Sequence, residues 1–378
     1  MNSLKIIALF FISLLLFTGC SHKIEQKKNI SKANFQKIDM EDIEGFETDN
    51  LAKALKVFIK DCSASKKDPK LAKVCYQAKQ NSSFENPKEF FLHNFTAYQL
   101  LSDEGDKEGL ITGYYEPLLQ GSYYRTNRFK YPVYAVPHDL VTVNLSSVYP
   151  SLSDYRLRGK LQGNKVVPYE TREEIDAIDY RKTKRLKPIC FVDDKIDLFF
   201  LQIQGSGKVQ LPNGKFINVG YGGQNGRTYY SIGRKLIEID AVKREDMSLQ
   251  AIKKWLLENP SQIDEILNLN QSYVFFNKSS KTATGSLGTQ LTANRNLAVD
   301  RRNIPLGFPV FINTTNPITN KPINKLMIAA DTGGAIKGKI RADFFFGNGN
   351  KARELAGRMK QEGELFIFLP NIKTKKKD

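Results

Sequence analysis

Leu326-Met327-Ile328-Ala329-Ala330-Asp331-Thr332-Gly333-Gly334-Ala335-Ile336-Lys337-Gly338, continued by Asp343-Phe344-Phe345-Phe346, has the composition of two buried strands joined by a glycine turn. Five apolar residues in a row match a strand covered on both faces. Asp331 stands where the first strand gives way to Gly333 and Gly334, and Asp343 opens the second apolar run. A carboxyl group packed beside aromatic rings loses hydration. Its pKa then rises towards the range in which it holds a proton near neutrality, as a general acid requires. On chain physics alone, turn and capping roles fit both aspartates better than catalysis does.

The texture on either side of this stretch is mixed. Apolar spacing behind Asp49 predicts a helix from Leu51, and Asp68-Pro69 and Asn86-Pro87 each start another. The third helix would carry Phe91, Phe95, Tyr98 and Leu101 on one face. From Gly109 the chain reads as strands and turns, with strands expected at 110–119, 131–136, 198–203 and 215–221. Pro212-Asn213-Gly214 makes a hairpin turn, since Asn-Gly accepts positive φ. Helices return between 229 and 267, strands resume at 273–276, 309–312 and 325–329, and a helix near 352–361 precedes a last strand at 365–369. The fold class is therefore mainly β with helical flanks.

Composition limits the function classes. The chain has 378 residues, 41% of them hydrophobic, with 24 Phe and 16 Tyr, which excludes general disorder and supplies a core for one large or two ordinary domains. Four Cys are too few for a disulfide miniprotein of this length. The one long apolar run lies at the N-terminus, so a multispan membrane protein is excluded. Lys and Arg outnumber Asp and Glu by 57 to 40, but they are dispersed, and no nucleic-acid partner is expected. His22, His93 and His138 are scattered and no Cys/His ligand spacing occurs, so neither a metal nor another cofactor is expected. Gln204-Gly205-Ser206-Gly207 lacks the first glycine of a nucleophile elbow, and Gly333–Gly338 has the wrong order for a phosphate loop.

Residues 1–19 read as a secretory signal, with Lys5 ahead of a short apolar run. Small residues before Cys20 resemble the bacterial lipobox, which implies lipidation of Cys20. Residues 20–40 then read as a tether, and residues 371–378 as a solvated basic tail. The oxidising compartment that follows leaves open a hairpin disulfide between Cys62 and Cys75. Cys190 reads as a packed apolar residue.

A set of short stretches, in order, resembles the membrane-bound lytic transglycosylase A family of bacterial murein-cleaving lipoproteins. Its carriers are Gly113-Tyr114-Tyr115-Glu116-Pro117, Tyr131-Pro132-Val133-Tyr134, Gln204-Gly205-Ser206-Gly207, Ser231-Ile232-Gly233, Asn270-Gln271-Ser272-Tyr273, Asp300-Arg301-Arg302-Asn303 and the Asp331–Asp343 region. The resemblance implies a double-psi β-barrel formed by residues 41–115 and 271–370, containing a "three-aspartate" domain, with a smaller β-barrel, residues 116–270, inserted into it. It implies cleavage of the β-1,4 bond between N-acetylmuramic acid and N-acetylglucosamine in peptidoglycan, leaving 1,6-anhydromuramyl ends. The muramyl C6 hydroxyl is then the nucleophile, so one carboxyl group acting as acid and then base suffices where hydrolases use two.

By the same resemblance Asp343 is the acid/base, Asp331 its support, and Asp300 an organiser of the adjoining loop. Tyr114, Tyr115, Gln204, Gly205, Ser206 and Lys337 are expected to bind substrate; Glu116 is the second candidate acid. The partners implied are peptidoglycan glycan strands, the outer membrane through the lipid anchor, and other cell-wall enzymes. Ser21 after the cysteine favours retention on the periplasmic face of the outer membrane. Two rival readings stand beside this one. They are a muramidase in which Asp331 and Asp343 activate water, and a non-catalytic murein-binding scaffold.

Overall fold

The computed structural model describes residues 34–371, except 63, 65–67, 81–85, 153, 154, 156, 281 and 282. The expected signal, Cys20 and the basic tail beyond Asn371 lie outside the described residues. Among the described residues no helix is long and apolar enough to cross a membrane.

Seventeen strands are found among the described residues. In order they are β1 (Asn34–Ile38), β2 (Phe95–Leu101), β3 (Glu108–Glu116), β4 (Leu118–Ser122), β5 (Tyr131–Tyr134), β6 (Val141–Thr142), β7 (Arg158–Gln162), β8 (Lys165–Val167) and β9 (Pro188–Val192). They continue with β10 (Gly207–Gln210), β11 (Phe216–Gln224), β12 (Val274–Ser279), β13 (Asn296–Val299), β14 (Pro309–Thr315), β15 (Pro322–Asp331), β16 (Ala342–Asn348) and β17 (Lys360–Pro370). An eight-stranded sheet runs β1-β2-β17-β14-β15-β13-β16-β3, and β17 also pairs with β3, so its last six strands form a ladder closed on itself. A six-stranded sheet runs β12-β11-β10-β4-β9-β5, and β6, β7 and β8 form a small third one. The fold is thus mostly β with helices, as expected.

Three segments differ from the sequence reading, each for a local reason. Residues 198–203 are helical, within Lys195–Gln204. Asp194 caps that helix by accepting from the backbone N–H of Ile196 and Asp197, and Gly205 closes it at φ 77°. Its apolar residues are buried on more than one face, so no helical stripe marks the sequence. The helix from Pro87 stops at Asn94, and residues 95–101 become β2 between β1 and β17. Asn34–Ile38, the end of the expected tether, is the edge strand β1.

The largest core lies where helices Leu51–Cys62, Pro69–Gln80 and Pro87–Asn94 cover the large sheet, with Phe46, Phe58, Phe91, Phe311 and Phe368 among its fully buried members. Cys62 and Cys75 form a disulfide between the first two of these helices. Cys190 is buried in the smaller sheet, and burial pushes its thiol up to about 12. A second clamp is a buried bidentate pair. Arg295 donates to both Asp49 carboxylate oxygens, at 2.6 and 2.7 Å, and to the carbonyls of Leu326 and Asn50.

The chain passes from the large sheet into the small one at Pro117, between β3 and β4. Glu116, only 3% exposed, holds this junction. It accepts from the Ala283 N–H at 2.7 Å and pairs with Lys208 of β10 at 3.3 Å. Its carboxylate thereby links the loop before β13 to β10 at the junction.

Candidate active site

Strand alternation separates the two faces of β16. Ala342, Phe344 and Phe346 point into the main core, whereas Phe345 packs in a small cluster with Tyr114, Ala298 and Ala330. Asp343 shares the face of Phe345. Of the three consecutive phenylalanines, only Phe345 therefore borders the carboxyl group on its own face.

Register builds the rest of the site. Ala298 of β13 is the neighbour of Asp343 on one side and of Asp331 on the other. The two aspartates thus lie two strands apart, roughly 10 Å between their Cα positions. On the opposite edge of β16, Asp343 lies beside Thr112 of β3, and Phe345 beside Tyr114. Gly113 between them is required to be small, because a Cβ there would stand 2.6 Å from the Phe346 ring and 3.0 Å from Ala356 Cα.

The Asp343 carboxyl is half-buried, and Thr112 Oγ1 donates to its Oδ1 at 2.7 Å. Burial pushes its pKa up to about 6, and the nearby Asp331 charge adds to this, while the Thr112 bond and the Arg341 charge pull the other way. Asp331 is also shifted upwards by burial. Three donors converge on its Oδ1 at 2.8 Å: the backbone N–H and hydroxyl of Ser286 and the backbone N–H of Thr332. Tyr114 is buried in the cluster with Phe345 and feels the charge of both carboxylates. Its hydroxyl is buried without a well-formed hydrogen bond, and burial and the two negative charges push its own pKa far above the usual range.

Asp300 has the opposite character. It is 3% exposed, accepts two bonds from Arg302 Nε and one from Nη2, and takes the Gly338 N–H at 3.0 Å. Those partners overcome burial and hold it at about 2. A carboxylate so fixed cannot carry a proton near neutrality, but it ties the end of β13 to the glycine loop before β16.

The remaining predicted residues fall into two places. Gln204 Oε1 accepts the Tyr115 backbone N–H at 3.2 Å, and the Lys208 N–H reaches the Pro117 carbonyl at 2.8 Å. Gln204, Gly205 and Ser206 are thereby positioned at the junction of the sheets, about 10 Å from Asp343 along the strand direction. The Tyr115 ring turns to the other face, into the main core. Lys337 is exposed on the loop after Asp331.

Sequence reasoning did not single out Thr112, Arg341 or Ser286. Thr112 was legible only as the alternate-face neighbour of Tyr114, and Arg341 as a cation two residues before Asp343. Ser286 carried no signal, because its contact with Asp331 spans 45 residues. Among the described residues no group of His, Cys, Asp and Glu is arranged to hold a metal ion.

Residues 110–277 match the family profile of the MltA specific insert domain, and residues 295–369 that of the 3D domain. The membrane-bound lytic murein transglycosylase A of Vibrio cholerae serotype O1 is 33% identical over 283 residues, 71% of this chain and 68% of that protein. The crystal structure of MltA from Neisseria gonorrhoeae agrees at a TM-score of 0.77 and 34% identity, over 90% of this chain and 93% of the other. E. coli MltA with bound chitohexaose shares the fold at a TM-score of 0.69 and 24% identity, over 89% of this chain and 95% of that one. The chain belongs to the membrane-bound lytic murein transglycosylase A family.

Proposed function

We infer that this chain is a peptidoglycan lytic transglycosylase and that Asp343 is its single acid and base. The observation that carries the assignment is the contrast between the three aspartates. Asp300 is held ionised, and Asp331 is engaged by three donors on one oxygen. Asp343 is lifted to about 6, and among the described residues a single protein hydrogen bond reaches its side chain.

In the reaction Asp343 gives its proton to the glycosidic oxygen as the bond from the muramyl anomeric carbon breaks. The C6 hydroxyl oxygen of the same sugar attacks that carbon, and the Asp343 carboxylate takes the hydroxyl proton. Protons balance and no water is consumed. Asp331 raises the Asp343 pKa by its charge and so favours the acid form. Gln204, Gly205 and Ser206 suit N-acetyl and hydroxyl recognition some distance along the glycan, and Lys337 a carboxylate of the stem peptide. We read the closed six-stranded ladder as the double-psi β-barrel and the smaller sheet as part of an inserted barrel, with the glycan in a groove between them. Lipidation of Cys20 would anchor the enzyme on the periplasmic face of the outer membrane, within reach of other cell-wall enzymes.

The test is digestion of purified murein by the full chain in detergent, with the released muropeptides weighed. Products one water lighter than lysozyme products are expected. Hydrated products would instead establish a muramidase, and murein binding without release would establish a scaffold.

A further inference from the structure

The two oxygens of the Asp343 carboxyl are not equivalent. Arg341 Nη2 lies 2.9 Å from Thr112 Oγ1, and a guanidinium can only donate. Thr112 therefore accepts from Arg341, and the partner for its own hydrogen is Asp343 Oδ1 at 2.7 Å. The second terminal nitrogen of Arg341, Nη1, donates to the carbonyl of Ala342 at 2.5 Å and to that of Leu110 at 3.3 Å, so the guanidinium is held in place from two strands. No protein group among the described residues bonds Asp343 Oδ2.

We infer that Arg341 and Thr112 are positioning residues that reserve Oδ1 of Asp343 as a permanent acceptor and leave Oδ2 as the oxygen that gives and takes the proton. The inference rests on the assignment of Asp343 as the acid/base and adds which oxygen acts and what selects it. A carboxyl that must be acid and then base benefits from such a lock. The proton leaves Oδ2 for the glycosidic oxygen, and the C6 hydroxyl proton returns to the same atom, so the group need not rotate between steps. The Arg341–Thr112 chain also stabilises the carboxylate that exists between them.

The charged and titratable groups facing Asp343 are few. Arg341 immediately precedes its strand, Asp331 lies on β15, and Tyr114 on β3; Lys360 of β17 stands opposite Thr112 and is exposed, while β13 presents only Ala298. Removing the Thr112 hydroxyl or the Arg341 charge removes a group that favours the ionised form. The alkaline limb of turnover should then move upwards.

The experiment measures kcat and KM against pH for the full chain in detergent acting on murein, counting anhydro ends. Thr112→Val is expected to move the alkaline limb of kcat up by about one pH unit. It should also lower the maximal kcat about tenfold with KM little changed. Thr112→Ser, which keeps the hydroxyl, should restore both. Arg341→Met should shift the limb in the same direction, and it supplies the same test should Thr112→Val fail to fold. Wild-type kcat and pH profile in folded Thr112→Val and Arg341→Met, with Asp343→Asn inactive, would overturn the inference alone. Turnover by Asp343→Asn would overturn the assignment of the acid on which it rests.

Discussion

Replacing Asp343 with Asn should make the protein more stable near neutral pH while abolishing turnover. Burial raises this carboxyl from the ordinary 3.8 to about 6. Between those values the folded chain holds a proton that the unfolded chain has released, so native stability falls as pH rises through the window. Above about pH 6 the full cost is present; it has fallen to about 0.5 kcal/mol by pH 4 and fades out below the unfolded value of 3.8, where both states are protonated. A shift of roughly two units corresponds to about 3 kcal/mol. Asn carries no such cost, and its amide oxygen can still accept the Thr112 hydroxyl. Removing the negative charge also relieves Asp331, which acts in the same direction. Urea denaturation at pH 8 and pH 4 separates the cases, with equal m-values confirming that the unfolded states are comparable. The variant should gain about 3 kcal/mol at pH 8 and only about 0.5 kcal/mol at pH 4. No gain at pH 8, or the same gain at both, would show that the carboxylate is not strained in the folded chain, and the reasoning would fail.

Three other expectations concern the same framework. Wild-type turnover should decline about tenfold per pH unit above about pH 6, as the acid form of Asp343 is lost, and a rate flat to pH 8 would exclude it as the acid. Asp49→Ala strands a buried guanidinium at Arg295 and should cost about 3–5 kcal/mol in urea unfolding; a loss below about 1 kcal/mol would mean the pair is not buried as described. Gly113→Val forces a side chain against Phe346 and Ala356 and should lower stability by about 1–3 kcal/mol, read as a drop in Tm. An unchanged Tm would contradict the close approach of helix Gly349–Arg358 to β3.

Much of the framework was legible in the residues themselves. The run from Leu326 to Ala330 announces its strand, and Pro87 behind Asn86 announces its helix, because propensity and capping act over a few positions. Where local signals conflict, distant contacts decided. Phe95–Leu101 has helical spacing but completes a sheet between β1 and β17, and residues 198–203 look like a strand but are capped at both ends as a helix. Three consecutive phenylalanines suggest that all of them surround Asp343, yet the pleat sends Phe344 and Phe346 into the opposite core. Tyr115, beside Tyr114 in the chain, is removed from the Asp343 face by the same alternation.

The sequence by itself determined that the chain is mostly β with helices, which family it resembles, and that Asp331 and Asp343 lie at strand ends around a glycine turn. Those properties follow from residue type and short-range spacing. Only the tertiary structure decided that β13 inserts between β15 and β16, that Thr112 and Arg341 anchor one oxygen of Asp343, and that Asp300 is locked as an anion while Asp343 is lifted towards neutrality. The three are chemically the same residue, and a carboxyl pKa is set by the balance of lost hydration, hydrogen bonds and nearby charge. That balance depends on which strands become neighbours, and strand order and register are contacts between residues far apart in the chain.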